Sequence, residues 1–208
     1  MLAKARTSLP DTDFQQADVT AFAPADDEAV VDLVFSNAVF HWLRSPTRMR
    51  TLTRLFRALK PAGVLALQLP DNYHEPTHRL MRAVAGRRDA PWSAAFADAN
   101  IAAFEDKSRP DLDVVEPPED FYNALVPCAE RVEVWRTQYM HVLRDAGAIV
   151  EWVKGTGLQP YLQRIEGEGP KRAFLDEYES RLKEAYPELG DGRVLLAYPR
   201  LFVVAVRK

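Results

Sequence analysis

With a single cysteine, Cys128, the 208-residue chain can form no internal disulfide, which fits a reducing compartment. Neither sign of charge dominates: 27 Lys and Arg against 30 Asp and Glu leave a formal net charge of -3. That balance gives no electrostatic case for wrapping nucleic acid or adhering to an anionic membrane. Small acidic ligands stay open, because local arginines matter more than the total. No apolar run is long enough to cross a bilayer, and the opening MLAKARTSLPDTDF lacks the apolar core of a signal peptide. The chain therefore reads as cytoplasmic. No internal repeat, low-complexity tract or linker divides it, so residues 1–208 read as one domain. Glycine-rich strand-to-helix turns are lacking too. Gly155-Thr156-Gly157 and Gly167-Glu168-Gly169 do not follow a buried parallel strand and open a helix, which argues against a nicotinamide-dependent oxidoreductase.

What is present is 47% hydrophobic and 27% charged, enough to bury a sizeable core. Leu2, Ala5 and Leu9 share a helical face that stops at Pro10, and residues 14–19 read as a short strand. A polar loop through Pro24, Asp26, Asp27 and Glu28 leads to Val30–Phe35, nearly all apolar, the pattern of a strand covered on both faces. Pro46 opens a helix with Met49, Leu52, Leu55, Phe56 and Leu59 at helical spacing, ended by Lys60-Pro61-Ala62-Gly63. Val64–Leu69 is a second buried strand. Strand, helix and strand make a crossover unit of a parallel sheet, so the class is α/β. Further helices are expected from Pro76, over 119–124, 145–154 and 170–186, with strands over 132–139 and 194–206.

Open α/β sheets bind ligands at the carboxyl ends of their strands. That rule marks Ala17-Asp18-Val19, Ser36-Asn37-Ala38 and Pro70-Asp71-Asn72. The segments VDLVFSNAVFHWL, LKPAGVLALQLPDNYHEPTHRLMR, VEVWRTQYMH, IVEWVKGTGLQPYLQ and LLAYPRLFVVAVRK, in that order, resemble successive blocks of the trans-aconitate methyltransferases. These are S-adenosylmethionine-dependent enzymes that esterify a carboxylate. The strand-end NAxxHW is shared widely among class I methyltransferases, whereas PDNxxEPTH, WRTxYxH and YPRLF are narrower.

The resemblance implies a class I, Rossmann-like methyltransferase sheet with an antiparallel closing strand and a helical lid over 145–190. It makes Asn37 and Ala38 a wall beside the methionine part of S-adenosylmethionine, and Asp18 and Val19 the flank of its adenine. Asp18 and Asn37 are equally compatible with ordinary turn chemistry. His41 and Trp42 are placed where cofactor and acceptor meet, against the alternative that they pack over the strand end. A carboxylate is already ionised near neutral pH, so it attacks a sulfonium methyl without a base, and His41 need not be one. Catalysis is then alignment, exclusion of water and cationic hydrogen bonds to the acid.

Arginine suits that last role, since its planar fork binds carboxylates bidentately and stays charged. Arg136 and Arg200 stand in otherwise apolar strands. Arg136 alternates with Gln138, and Thr137, Tyr139 and His141 share the other face. Pro199 suggests a bulge or edge that re-aims Arg200. The acid pocket is assigned to Arg200, Tyr139 and His141, with Arg136 as a further candidate. Trp152 and Tyr161 flank the GTGLQP loop as parts of the lid, core packing being the rival role for Trp152. His74 and His78 have no fixed third ligand, so a capping or loop role is favoured over a metal.

The family's glycine-rich loop, and the second strand with its ribose-binding acid, are not found before Asp18. MLAKAR looks like the helix that follows them, as if Met1 matched an internal methionine. An N-terminally truncated sheet of this kind is expected to expose apolar strand edges and self-associate through them. The partner expected is a small polycarboxylate. A non-catalytic relative that binds an acid or a partner chain is the alternative.

Overall fold

The computed structural model describes residues 2–22, 31–106 and 108–208. The polar loop through Pro24 and Asp26–Glu28 lies outside these, as does Val30. After helix α1 (Leu2–Ser8) come strand β1 (Val31–Asn37), a 3₁₀ turn (Phe40–Trp42), α2 (Thr47–Arg57) and β2 (Leu59–Pro70). Then follow α3 (Pro76–Ala85), α4 (Pro118–Leu125), β3 (Ala129–Leu143), α5 (Ala146–Lys154), α6 (Gln159–Leu162), α7 (Glu168–Ala185) and β4 (Val194–Arg207).

Local chemistry accounts for the helix ends. Pro76 and Pro118 sit in the first turns of α3 and α4, where no intrahelical N–H is needed. Asp145 caps α5, its side chain accepting from the Ala148 N–H at 2.8 Å. The strands form one mixed sheet in the order β1-β2-β4-β3: β1 and β2 are parallel, and β4 runs antiparallel to both neighbours. This is an α/β arrangement of the class I methyltransferase type.

One face of the sheet is packed. Leu65, Leu67, Leu69, Leu201, Val203 and Ala205 bury against Leu52, Leu55 and Phe56 of α2 and Phe121 and Leu125 of α4. A second core joins α3, α5 and α7 around Trp92, Phe96, Tyr161, Phe174 and Tyr178, and covers Val194 and Leu196 at one end of the other face. The rest of that face is bare: Leu33 is 55% and Phe35 71% exposed, and Trp135, stacked on Phe202 at 5.1 Å, is 43% exposed. The expectation that β1 is covered on both faces is thus corrected. Val34 and Ser36 turn toward the packed side, while nothing among the described residues covers Leu33 and Phe35.

Two further expectations change. Residues 14–19 form no strand, having no strand beside them to complete a ladder; their loop is held instead by Arg54, which donates to the Val19 and Thr20 carbonyls at 2.7 and 2.6 Å. Pro199 makes no bulge: β3 and β4 pair in continuous register through Gln138 and Pro199. The ladder with β2 already ends at Pro70 opposite Arg200, so on that side no partner N–H is missed.

Candidate functional site

The bare face becomes polar toward the carboxyl end of β1. Strand register sets Asn37 beside Gln68, Gln68 beside Phe202 and Pro70 beside Arg200, with Tyr139 opposite Tyr198 on β3. Asn37, Gln68, Tyr139, Arg200 and Phe202, together with Phe35, Ala66, His141 and Val204, line an open hollow of about 450 Å³. Arg200 is fixed within it: its Nη1 donates to Gln68 Oε1 at 2.8 Å, and its guanidinium lies over the rings of Tyr198 and Tyr139, 5.2 and 5.8 Å from their centroids. No carboxylate among the described residues pairs with it. Gln68, missed in the sequence because an amide within a strand reads as neutral, is what orients this arginine.

The other candidates are distributed as follows. His141 and Tyr139 stack at 6.2 Å, and Trp152 of α5 approaches His141 at 4.6 Å. Trp152 is 42% exposed, so it is not a core residue. Trp42 is equally exposed and lies beside His41 at 4.9 Å between ring centroids. Ala38 takes a positive φ of 54° and donates its N–H to Gln68 O at 2.9 Å, joining the β1 end to β2. Asp18 and Val19 stand outside the hollow. Both Thr20 donors bond Asp18 at 2.8 Å and lower its pKa, so the ordinary turn chemistry is what the structure shows there. Arg136 lies on the opposite face from Arg200, opposite Leu201, and pairs with Asp71 at 2.7 Å. Tyr161 is buried in the second core.

His41 belongs to a smaller cavity behind the 3₁₀ turn, with Tyr161, with Asn72 and His78, which the sequence marks as a strand-end and a loop residue, and with Tyr73 and Arg82, which it does not single out. Burial, helped by Arg48 and Arg200, pushes the His41 pKa down to about 4; burial, with Arg82 and His41, takes His78 to about 3. Both rings are neutral at pH 7. A strap over residues 109–116 closes this region. In it Arg109 pairs with Asp111 and Asp113, Arg44 with Asp113, and Arg48 with Glu116. Among the described residues no cluster of three or more His, Cys, Asp or Glu could hold a metal, and no helix is long and apolar enough to cross a membrane.

A mixed sheet with a polar hollow at the carboxyl end of a parallel strand is where α/β proteins bind small molecules. Residues 1–67 match the family described as "Methyltransferase domain". Over its full length the chain is 46% identical to a trans-aconitate 2-methyltransferase of Agrobacterium fabrum, covering 75% of that protein. It is 45% identical to that of Variovorax paradoxus and 47% identical to that of Azoarcus sp., covering 100% of this chain and 74% of each relative. The chain belongs to the trans-aconitate 2-methyltransferase family, enzymes that use S-adenosylmethionine.

Proposed function

We propose that the chain serves the esterification of one carboxylate of a small polycarboxylic acid such as trans-aconitate, giving a monomethyl ester. The observation that carries this reading is Arg200, held by Gln68 over two tyrosine rings and facing an open hollow without a carboxylate partner. Its fixed charge aligns an anionic acceptor, and since the acceptor oxygen is already ionised, no side chain has to take a proton. Neutral His41 suits a donor or a packing surface. The exposed rings of Trp42 and Trp152 flank the site as walls that exclude water, Trp152 on the lid helices of residues 145–190.

The residues present fit one end of the cofactor. Gln68 Nε2 and His141 Nε2 are buried polar atoms without partners, and both residues line the hollow beside Asn37. Asn37 and Gln68 would hold the amino-acid end, with the Ala38 backbone as the adjoining wall. When bound, S-adenosylmethionine supplies a methyl group on a positively charged sulfur. The lining contains no acidic side chain for a ribose. We place the reaction in the cytoplasm, where half-buried Cys128 stays a free thiol.

Calorimetric titration with S-adenosylhomocysteine, followed by an assay of ester formation from trans-aconitate, tests the reading. Arg200→Ala should weaken the acid and spare S-adenosylhomocysteine; unchanged acceptor kinetics would exclude the role of Arg200. A second reading, binding of an acid or a partner chain without catalysis, is favoured by exposed Leu33, Phe35 and Trp135. It predicts no ester and no S-adenosylhomocysteine binding.

A further inference from the structure

The small cavity behind His41 encloses about 20 Å³, which admits one or two polar groups and not a whole tricarboxylic acid. His78 and Arg82 stand one turn apart on α3 and both line it. Arg82 is positioned by Tyr73: its Nη2 donates to the Tyr73 carbonyl at 2.8 Å and its guanidinium lies 3.6 Å from the ring centroid. No carboxylate among the described residues pairs with it.

Two carboxylates also line the cavity, but their charge is already matched. Asp113 takes Arg109, Arg44 and the Ser45 N–H, and Asp111 Oδ2 takes Arg109 and the Ala102 N–H. The two acids and these two arginines cancel, which leaves Arg82 as one uncompensated positive charge. His41 Nδ1 is buried without a partner. Thr77 Oγ1 lies 3.1 Å from His78 Nδ1; with that hydroxyl donating, the ring proton sits on Nε2. Asp111 Oδ1 is also without a partner.

The two cavities are neighbours: Pro70 lines the smaller one and stands opposite Arg200 of the hollow in the β2–β4 ladder. An acid with three carboxylates presents one for methylation and two that must be held. Arg200 and Arg82 are the arginines of the two cavities, and neither has a carboxylate partner.

Resting on the acid-methylating reading above, we propose that Arg82, with His78 and His41, forms a second carboxylate subsite that grips one non-reacting carboxylate of the acceptor while Arg200 holds the other. Charge-assisted hydrogen bonds from a fixed arginine make the subsite a selector for tricarboxylates over dicarboxylates.

The test titrates the full chain with trans-aconitate, with succinate and, separately, with S-adenosylhomocysteine. Arg82→Met should weaken trans-aconitate about 10- to 100-fold, leave succinate within about twofold and leave S-adenosylhomocysteine unchanged. Gly157→Ala tests the same space without touching Arg82. Its Cβ would come 3.0 Å from His78 Nε2 and 3.3 Å from Met81 Cε, so it too should weaken the tricarboxylate selectively. If both variants bind trans-aconitate like the parent chain, the subsite is overturned and the acid-methylating reading stands. If the parent chain binds trans-aconitate no better than succinate, the subsite also falls. Absence of any acid binding overturns both.

Discussion

Replacing Arg48 with methionine should cost about 3–5 kcal/mol of stability, the range for breaking a buried ion pair. Arg48 is completely buried on α2 and spends every arm of its guanidinium. Nε donates to Phe40 O at 3.0 Å, Nη2 to Leu43 O at 2.9 Å, and Nη1 to Val114 O at 2.9 Å and Glu116 Oε2 at 2.6 Å. Methionine keeps much of the stem packing and removes all four bonds. Added naively at 1.5–3 kcal/mol each, they would exceed the quoted range. Glu116 is 11% exposed, though, so water reaches part of what is orphaned, and the strap relaxes. At roughly 2 kcal/mol per molar for the urea dependence, the midpoint should fall by about 1.5–2.5 M. The assay is equilibrium urea unfolding followed by tryptophan fluorescence, with trans-aconitate affinity measured below the transition. A midpoint shift under about 0.5 M with an unchanged slope would refute the claim that Arg48 ties the His41 turn to the strap.

Acid should destabilise the chain between pH 6.5 and 4. The folded-state pKa values of His41 and His78, about 4 and 3, lie below the unfolded value near 6.5, so the unfolded chain binds more protons in that window. Each ring contributes a slope of at most about 1.4 kcal/mol per pH unit, opposed nearer pH 4 by Asp71 and Glu75, whose proton affinity burial raises. A urea midpoint that stays flat from pH 7 to 5 would show the rings to be solvated. Phe35→Ser should leave monomer stability within about 0.5 kcal/mol while reducing concentration-dependent association in sedimentation velocity; a parent chain that stays monomeric at high concentration excludes association through this face. Gly63→Ala should cost about 1–3 kcal/mol in thermal unfolding, because its Cβ would lie 2.8 Å from the Lys60 carbonyl oxygen and 3.1 Å from Leu59 Cβ; an unchanged melt would mean that the turn yields freely.

The elements that could be read from sequence are those with a local cause. Met49, Leu52, Leu55 and Phe56 carry their own helical period, and α2 covers them. Lys60-Pro61-Ala62-Gly63 has the letters of a helix stop, yet β2 runs through it. Ala62 takes a φ of 63° while the register with β1 shifts between Val31 and Leu33. That irregularity is settled by a neighbouring strand, which no local pattern reports. Burial of β1 fails for a related reason: an apolar run shows that a face wants covering, not that something covers it. In the site, Arg200 was legible as a charge inside an apolar strand. The pairing of Arg44 and Arg48 with Asp113 and Glu116 joins residues 69 and 68 positions apart in a stretch with no periodicity of its own.

Arginines of β3 and β4 show how topology decides what a residue type can do. Parallel β1 and β2 deliver their carboxyl ends to the hollow, so antiparallel β4 must bring its earlier half there and β3 its later half. Arg200 meets this condition and lies on the bare face, where its charge meets no carboxylate. Arg207 is on the same strand at the opposite end of the sheet, and it donates to the Arg57 and Leu59 carbonyls, closing the helix-to-strand turn between α2 and β2. Arg136 is late enough in β3 but one residue out of phase, so the pleat turns it to the other face and onto Asp71. Of the three, therefore, Arg200 alone combines the required end with the required face. Shifting β3 by one residue would bring Arg136 to the bare face and turn Tyr139 and His141 away from it, which makes the register of β3 against β4 decisive for what surrounds Arg200.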